Sequence, residues 1–551
     1  MQEIELKFLV PEARLKGLMR QVHVKSSNLT QLAAHYYDTP NQQLAKAGIG
    51  LRIRKEGDTW VQTIKAGGDG LVARLEHNTV LDNEQVQIML DNDALMPDLT
   101  IYKDTPVASA LEGFKLKKLA KKLTQLYVTD VQRTTRLLVE KISNDSDYGS
   151  GSVPDNKIEV AYDRGEIIHG TDDTKQDAIQ EIEFELISGD VDFLFTTAKV
   201  WCKRYKLSLS TVTKAERGGL LIKNKRYSPA VTADLNNLSF NQNTSMPAFV
   251  RAAVHNCLLQ ILPNSSAIVA GSTDHEHILQ FQIGVKRLLV AITAFASFSD
   301  EINPDWQPIL KQTVTLLDDY RELTYLATHV EPKLQELGSP ATDWAIDIKA
   351  SKIKPMDAVQ ANDFQLTLLE LIVFTMSDPQ LEPQNDKPAI DKLTEILSEQ
   401  YKQLLKADEK IDDIENAEPE SDAQSIGLET KDSENKDLEI RAFEHYDDAQ
   451  AQHHLHLQLE ALRYLSEFAA PVFHKKSSKK KTKRWLQSVI KAQKALEKYQ
   501  THTRYQQRYQ LKSASKTNAL YGAGWFAATL ESDHQSAEKR LRKVTDGTMF
   551  W

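Results

Sequence analysis

Residues Glu3–Phe8 read EIELKF, and far downstream Glu181–Leu186 read EIEFEL. Both alternate strictly in polarity, so each is a strand with one charged face and one apolar face. In the first, Glu3, Glu5 and Lys7 share a face opposite Ile4, Leu6 and Phe8. In the second, Glu181, Glu183 and Glu185 stand opposite Ile182, Phe184 and Leu186. Three carboxylates in a row repel one another unless cations lie among them. The chain between supplies cations in the same pattern. Arg52 and Arg54 share a face of Leu51–Arg54, Thr63 and Lys65 a face of Trp60–Lys65, and Arg74 shares a face with Glu76; Glu159 and Asp163 share a face of Lys157–Asp163. Turn signals, Gly67–Gly68 and residues 144–151, separate the runs. A sheet solvated on one side accounts for any single pair. It accounts less well for the whole set, in which acids cluster on the first and late strands and bases on the middle ones. A sheet closed into a barrel gathers both signs in one interior. Carboxylates there suit hard divalent cations, and Arg and Lys suit a polyanion. Helical stretches at Ala108–Leu126 and Val191–Tyr205 are expected to cover the outer apolar faces.

The chain has 551 residues, room for several domains. It is 41% hydrophobic and 26% charged, near the globular average, which excludes fibrous and wholly disordered classes. No apolar run approaches the roughly 18–20 residues of a membrane span, and the acidic start lacks the features of a secretory signal. Two cysteines, Cys202 and Cys257, exclude a disulfide framework or a Cys-based zinc site as the organising principle. A cytoplasmic protein is expected. After about Lys225 the pattern changes. Residues 225–245 read as a linker, and from Met246 the apolar spacing is helical, as in Phe249, Ala253, Cys257 and Ile261. Residues 246–551 therefore read as an all-α bundle. The net charge is −9, and residues 408–448 hold 16 acids against 4 bases, so this block is read as a disordered insertion. The basic run KKSSKKKTKR (Lys475–Arg484) reads as a solvated segment or an anion patch.

The opening Glu3–x–Glu5–x–Lys7 resembles the signature of the CYTH superfamily, the triphosphate tunnel metalloenzymes. Further segments follow in that family's order: HYYDTP (His35–Pro40), LRIR (Leu51–Arg54), the TIK ending at Lys65, Asp163–x–Gly165, EIEFEL and TKAERG (Thr213–Gly218). The resemblance covers residues 1–224 and implies an eight-stranded antiparallel β tunnel. It implies metal ligation by Glu3, Glu5, Asp163, Glu183 and Glu185, with Glu181 in the same motif. It implies phosphate binding by Lys7, Arg52, Arg54, Lys65, Arg74, Arg133, Lys214 and Arg217, with Glu5, Lys7 and Glu183 closest to the chemistry. Arg133 and Arg136 are three apart and face opposite ways in a regular strand; Arg133 is expected inside. The implied reaction is Mg²⁺- or Mn²⁺-dependent hydrolysis of inorganic triphosphate to diphosphate and phosphate, with two metal sites.

The helical half resembles a CHAD domain. The matching pieces are Arg251 and His255, Lys286–Arg287–Leu288, Arg321–Glu322 and Leu462–Arg463–Tyr464; Leu279, Gln282, Glu460 and Ala461 stand where that family carries His or basic residues. The family implies polyphosphate binding, here through Arg251, His255, Lys286, Arg287 and Arg463. The order CYTH then CHAD resembles bacterial inorganic triphosphatases. Two other readings stay open: a module that binds polyphosphate without turning it over, and an adenylate cyclase of the class IV type, for which Trp60, Tyr36 or Tyr37 would dock the organic part. Nucleic acid and membrane are not expected partners.

Overall fold

The structure, a computed structural model, describes residues 2–68, 71–141, 155–238, 240–241, 243–351, 353–416, 433–473 and 479–551. Nine strands follow one another: β1 Gln2–Leu9, β2 Asn28–Asp38, β3 Gly50–Glu56, β4 Thr59–Gly67, β5 Ala73–Leu81, β6 Thr124–Glu140, β7 Asn156–His169, β8 Asp172–Ser188 and β9 Ser208–Leu209. Their order in the sheet is β5-β4-β3-β2-β6-β7-β8-β1-β9, and β1 also pairs with β5. The first eight therefore close into an antiparallel barrel. Closure is shared along one edge of β1. Its first half meets β5 (Glu3↔Arg74), and its end meets β9 (Phe8↔Leu209).

All five alternating runs fall within strands. The expected helix Ala108–Leu126 does not form as one piece. It breaks into Ala108–Leu111 and Leu116–Ala120, and Thr124 already belongs to β6. The run TQLYVT at 124–129 is rich in β-branched and aromatic residues, and pairing with β2 and β7 overrides the helical prelude. The helix Val191–Tyr205 forms as expected, with Asp190 capping the Asp192 N–H at 2.9 Å.

Outside the barrel the apolar faces find two covers. Tyr37, Leu51, Ile53 and Ile64 pack under the segments 83–123. Phe8, Phe184 and Val160 pack under Leu194, Ala198 and Trp201, with Phe8 edge-on to Phe184 at 5.7 Å. A third helix, Lys214–Ile222, lies against β6, β7 and β8. Gly218 permits this approach, because a Cβ there would stand 2.2 Å from the Tyr127 ring.

The second half is helical. Its long helices include Met246–Val269, His275–Ala294, Trp306–Tyr325, Asn362–Met376, Ala389–Asn416, Ser433–Ala469, Lys479–Ser513 and Ala519–Thr545. The block 408–448, expected as a disordered insertion, is described only in part. Helices enter it from both sides, to Asn416 and from Ser433, while residues 417–432 lie outside the described residues. Glu, Lys and Ala are good helix formers, so acidity alone does not stop a helix. Of the basic run, residues 475–478 lie outside the described residues and Lys479 opens a helix. No helix among the described residues is long and apolar enough to cross a membrane.

The two halves share one core. Phe8, Phe184, Trp201 and Leu209 belong to the same apolar cluster as Leu262, Phe364, Leu368 and Ile372. Within the expected linker, residues 228–234 are fastened to the helical half. Asn264 grips Val231 through both its N–H (3.1 Å) and its carbonyl (2.8 Å), Asn256 donates to the Asp234 carbonyl at 2.7 Å, and His277 Nε2 meets the Ser228 carbonyl at 2.8 Å.

Candidate active site

The inward faces of the barrel strands carry the charges, and register sets them in rungs. Across β7, β8 and β1 the rungs are Asp163–Glu181–Leu9, Ala161–Glu183–Lys7 and Glu159–Glu185–Glu5. On the other arc, Arg52 lies between Tyr36 and Thr63, Lys65 lies opposite Glu76, and Arg74 opposite Glu3. Arg133 on β6 stands across from Asp163. Apart from Leu9, Ala161 and Glu181, these side chains, with Arg54 and Lys214, line a cavity of about 290 Å³.

One part of the cavity is internally neutralised. Asp163, Glu181 and Glu183 bring carboxylate oxygens within 4.8 Å of one another. Lys214 Nζ lies 2.7 Å from both Asp163 and Glu183 and also pairs with Glu181. Arg133 forks onto Asp163 at 2.7 and 2.6 Å and reaches Glu183 as well. Burial disfavours each of these charges, but the opposite charges outweigh it. Lys214 and Arg133 are held well above their ordinary values, Glu183 well below, and Asp163 below. Lys7, 7% exposed, donates its ammonium to the Val212 carbonyl, and burial lowers its pKa.

A second part is short of cations. Glu3, Glu5, Glu76, Glu159 and Glu185 gather about Lys65, whose Nζ is 2.8 Å from Glu3 and Glu76 and 3.9 Å from Glu5. Burial, with Glu5, Glu159 and Glu76 beside it, pushes Glu185 up to about 7 against the pull of Lys65. Burial also raises Glu3, which shares a hydrogen bond with Glu76; Glu76 is held down, against burial, by Lys65 and that bond.

A third part is short of anions. Arg52 donates Nη1 to the Tyr36 hydroxyl at 3.2 Å, and its buried Nε has no hydrogen-bond partner among the described residues. Burial and then Arg52 bring Arg54 down to about 10, with Glu56 as its partner at the rim.

Of the residues singled out in the sequence, the structure brings Glu3, Glu5, Lys7, Arg52, Arg54, Lys65, Arg74, Arg133, Asp163, Glu183, Glu185 and Lys214 to this one cavity. Arg217 is not among its lining; it binds Asp177 at 2.6 Å and the Ala178 carbonyl. Arg136 points away and donates to the Gln21 carbonyl at 2.6 Å. Sequence reasoning missed Thr213, whose hydroxyl caps the helix of Lys214 at 3.0 Å, and gave Tyr36 no role in the charged wall. Tyr36 stacks on Tyr127 at 4.8 Å, and Arg52 lowers its pKa against burial. The only signal in the sequence was its parity: Tyr36 shares its strand face with Ala34, and Tyr37 turns into the outer core. Trp60 likewise belongs to that outer core.

In the helical half, Arg251 and Arg287 are interior residues, 4% and 1% exposed. Arg251 bonds Glu382 at 2.7 Å and lies over the Phe374 ring. Arg287 bonds Asn256 at 2.7 Å and Gln260 at 3.0 Å. Arg463 is half-buried against Glu467 (2.8 Å), Lys286 lies 3.9 Å from Glu460, and His255 is half-buried.

Residues 1–218 match the family model of the CYTH domain, and residues 252–510 that of the CHAD domain. An inorganic triphosphatase of Haemophilus influenzae is 33% identical over 230 residues, 40% of this chain. The chain spans about half the length of that relative, 55%. Among solved structures, the CHAD domain from the plant Ricinus communis is 18% identical with a TM-score of 0.41, covering 57% of this chain and 96% of its own. PptA from Streptomyces chartreusis is 13% identical with a TM-score of 0.36, covering 54% and 98%. The chain is a fusion of a CYTH domain, of the triphosphate tunnel metalloenzyme superfamily, with a CHAD domain.

Proposed function

We propose that the barrel hydrolyses inorganic triphosphate to diphosphate and phosphate with a divalent cation. The observation that carries this reading is the split of one 290 Å³ cavity into an acid cluster short of cations and an arginine wall short of anions. A small polyanion accompanied by a hard cation satisfies both at once. The donor set suits Mg²⁺ or Mn²⁺: Glu5 and Glu185 face one another in register with Glu3 nearby, and all are oxygen donors that lack sufficient positive charge. Asp163 and Glu183, held by Lys214 and Arg133, form a second candidate group. A bound ion supplies charge neutralisation at the phosphoryl oxygens and a more acidic water.

The protein's own groups do the rest. Arg52, Arg54 and Arg74 bind phosphoryl oxygens and orient the chain of phosphates. Lys7, Lys214 and Arg133 stabilise the negative charge that grows on the departing diphosphate as the bridging P–O bond breaks. Water oxygen bonds to the terminal phosphorus, and one proton is released. The 33% identical relative named as an inorganic triphosphatase supports this substrate. The test is phosphate release from inorganic triphosphate, ATP and long-chain polyphosphate, each with Mg²⁺, Mn²⁺ or EDTA. Metal-dependent release from triphosphate is expected. Tight binding without release identifies a capture module instead.

A further inference from the structure

The segment Leu209–Thr213 lies where the two halves meet and touches both buried lysines of the cavity. The Ser210 N–H donates to the Lys7 carbonyl at 2.9 Å, and the Val212 carbonyl accepts the Lys7 ammonium. The Thr213 hydroxyl caps the helix that begins with Lys214. Five residues thus set the positions of two ammonium groups.

Besides the pairing with β1, these five residues are held by the helical half. The Leu209 N–H donates to Gln365 Oε1 at 2.8 Å, and the Thr211 N–H to Ser266 Oγ at 3.0 Å. Both acceptors are buried, Gln365 at 0% and Ser266 at 1% exposure. Both are also aimed. Gln365 gives its amide hydrogen to the Val359 carbonyl at 2.7 Å, which turns its oxygen to Leu209. Ser266 gives its single hydroxyl proton to the Leu262 carbonyl at 2.7 Å, so its lone pairs face Thr211. The Thr211 hydroxyl, 3.2 Å away, is then the donor to the same oxygen. These are side-chain acceptors presented to the short strand β9 and the irregular backbone after it, where a missing partner is costly.

We infer that Ser266, aided by Gln365, is a positioning residue for the tunnel: the helical domain fixes where Lys7 and Lys214 stand by holding Leu209–Thr213. This rests on the reading of the cavity as a phosphate-handling site. It assigns the helical domain a part in the tunnel's chemistry that does not require it to bind any anion.

The test is a double-mutant cycle in the full chain with Ser266→Ala and Lys7→Ala, scored on kcat and KM for Mg²⁺-dependent triphosphate hydrolysis and on the calorimetric Kd of triphosphate in EDTA. Ser266→Ala should lower kcat about tenfold with a smaller change in KM. In the Lys7→Ala background the same change should cost clearly less than in the wild type, because the part that acts through Lys7 is gone and only the part through Lys214 remains. Equal, additive losses in both backgrounds, or no loss in either, overturn the inference. Gln365→Met, close in volume and lacking the acceptor, is the second variant should Ser266→Ala fail to fold. If the wild-type chain releases no phosphate, the functional reading fails by itself. The cycle is then scored on triphosphate affinity, where absence of coupling still overturns the role of Ser266.

Discussion

Glu5 and Glu183 carry the same functional group on neighbouring strands, but their surroundings predict opposite effects on stability. Glu183 neutralises Lys214 and Arg133, and its pKa is held well below the ordinary range. Glu183→Gln leaves two buried cations with less compensation and should destabilise the fold by roughly 1–3 kcal/mol. Glu5 faces Glu185 across the strand pair and raises its pKa. Glu5→Gln removes one of several crowded charges and should leave metal-free stability unchanged or higher. Both should abolish metal-dependent phosphate release. Calorimetric melting in EDTA together with turnover at saturating Mg²⁺ checks this; equal destabilisation by both, or near-normal turnover in either, contradicts the assignment. The alternation that made Glu3, Glu5, Glu183 and Glu185 legible in the sequence could not show this division. Parity reveals which side chains share a face, whereas partners such as Lys214 and Arg133 come from other elements and depend on register.

The helix Lys214–Ile222 shows what a motif reading captures at the scale of an element and what it leaves out. TKAERG marked the segment and its two cations, but Lys214 enters the cavity while Arg217 turns to Asp177. Three residues apart, they are neighbours on one face of the helix, and only docking decides which one enters the cavity. The terminal glycine of the motif has a packing reason that is invisible without the neighbour. Gly218→Ala would drive a Cβ to 2.2 Å from Tyr127. Tyr127 bonds the Ala215 carbonyl at 2.8 Å and stacks on Tyr36, the acceptor for Arg52. The substitution should therefore cost roughly 1–3 kcal/mol of stability and also weaken triphosphate binding, read by melting and by titration in EDTA. Lost stability with unchanged affinity would show that the stack does not position Arg52. β6 marks a similar limit: the Lys-rich text before it read as helix, and the strand was decided by its partners β2 and β7.

At the scale of the molecule, the two-part architecture was legible from the change in periodicity near Lys225, but the shared core was not, because apolar strand faces do not say which helices will cover them. The tunnel's own part of the pH dependence can be isolated with metal. The unfolded carboxyl of Glu185 titrates near 4.5, and the folded one at about 7. Between those values the metal-free native state holds more protons than the unfolded state, so this group's contribution to stability falls as pH rises through that window. His275, His453, His456 and His502 of the helical half have lowered values, burial being the first cause, and contribute with the opposite sign. They lie outside the tunnel and contribute equally with and without metal, so they cancel in the difference between two melting curves. A divalent ion competes with the proton on Glu185. The rise in Tm on replacing EDTA by saturating Mg²⁺ should therefore be small near pH 5 and should grow steadily towards about pH 8. It should also be accompanied by proton release on metal binding near neutral pH, measurable by calorimetry in buffers of different ionisation enthalpy. In the Glu185→Gln variant the growth of that difference should diminish, with Glu3, raised by burial to about 8, retaining a share. A metal-induced shift independent of pH, or one that shrinks as pH rises, would mean that the crowded carboxylates around Lys65 are not where the cation binds.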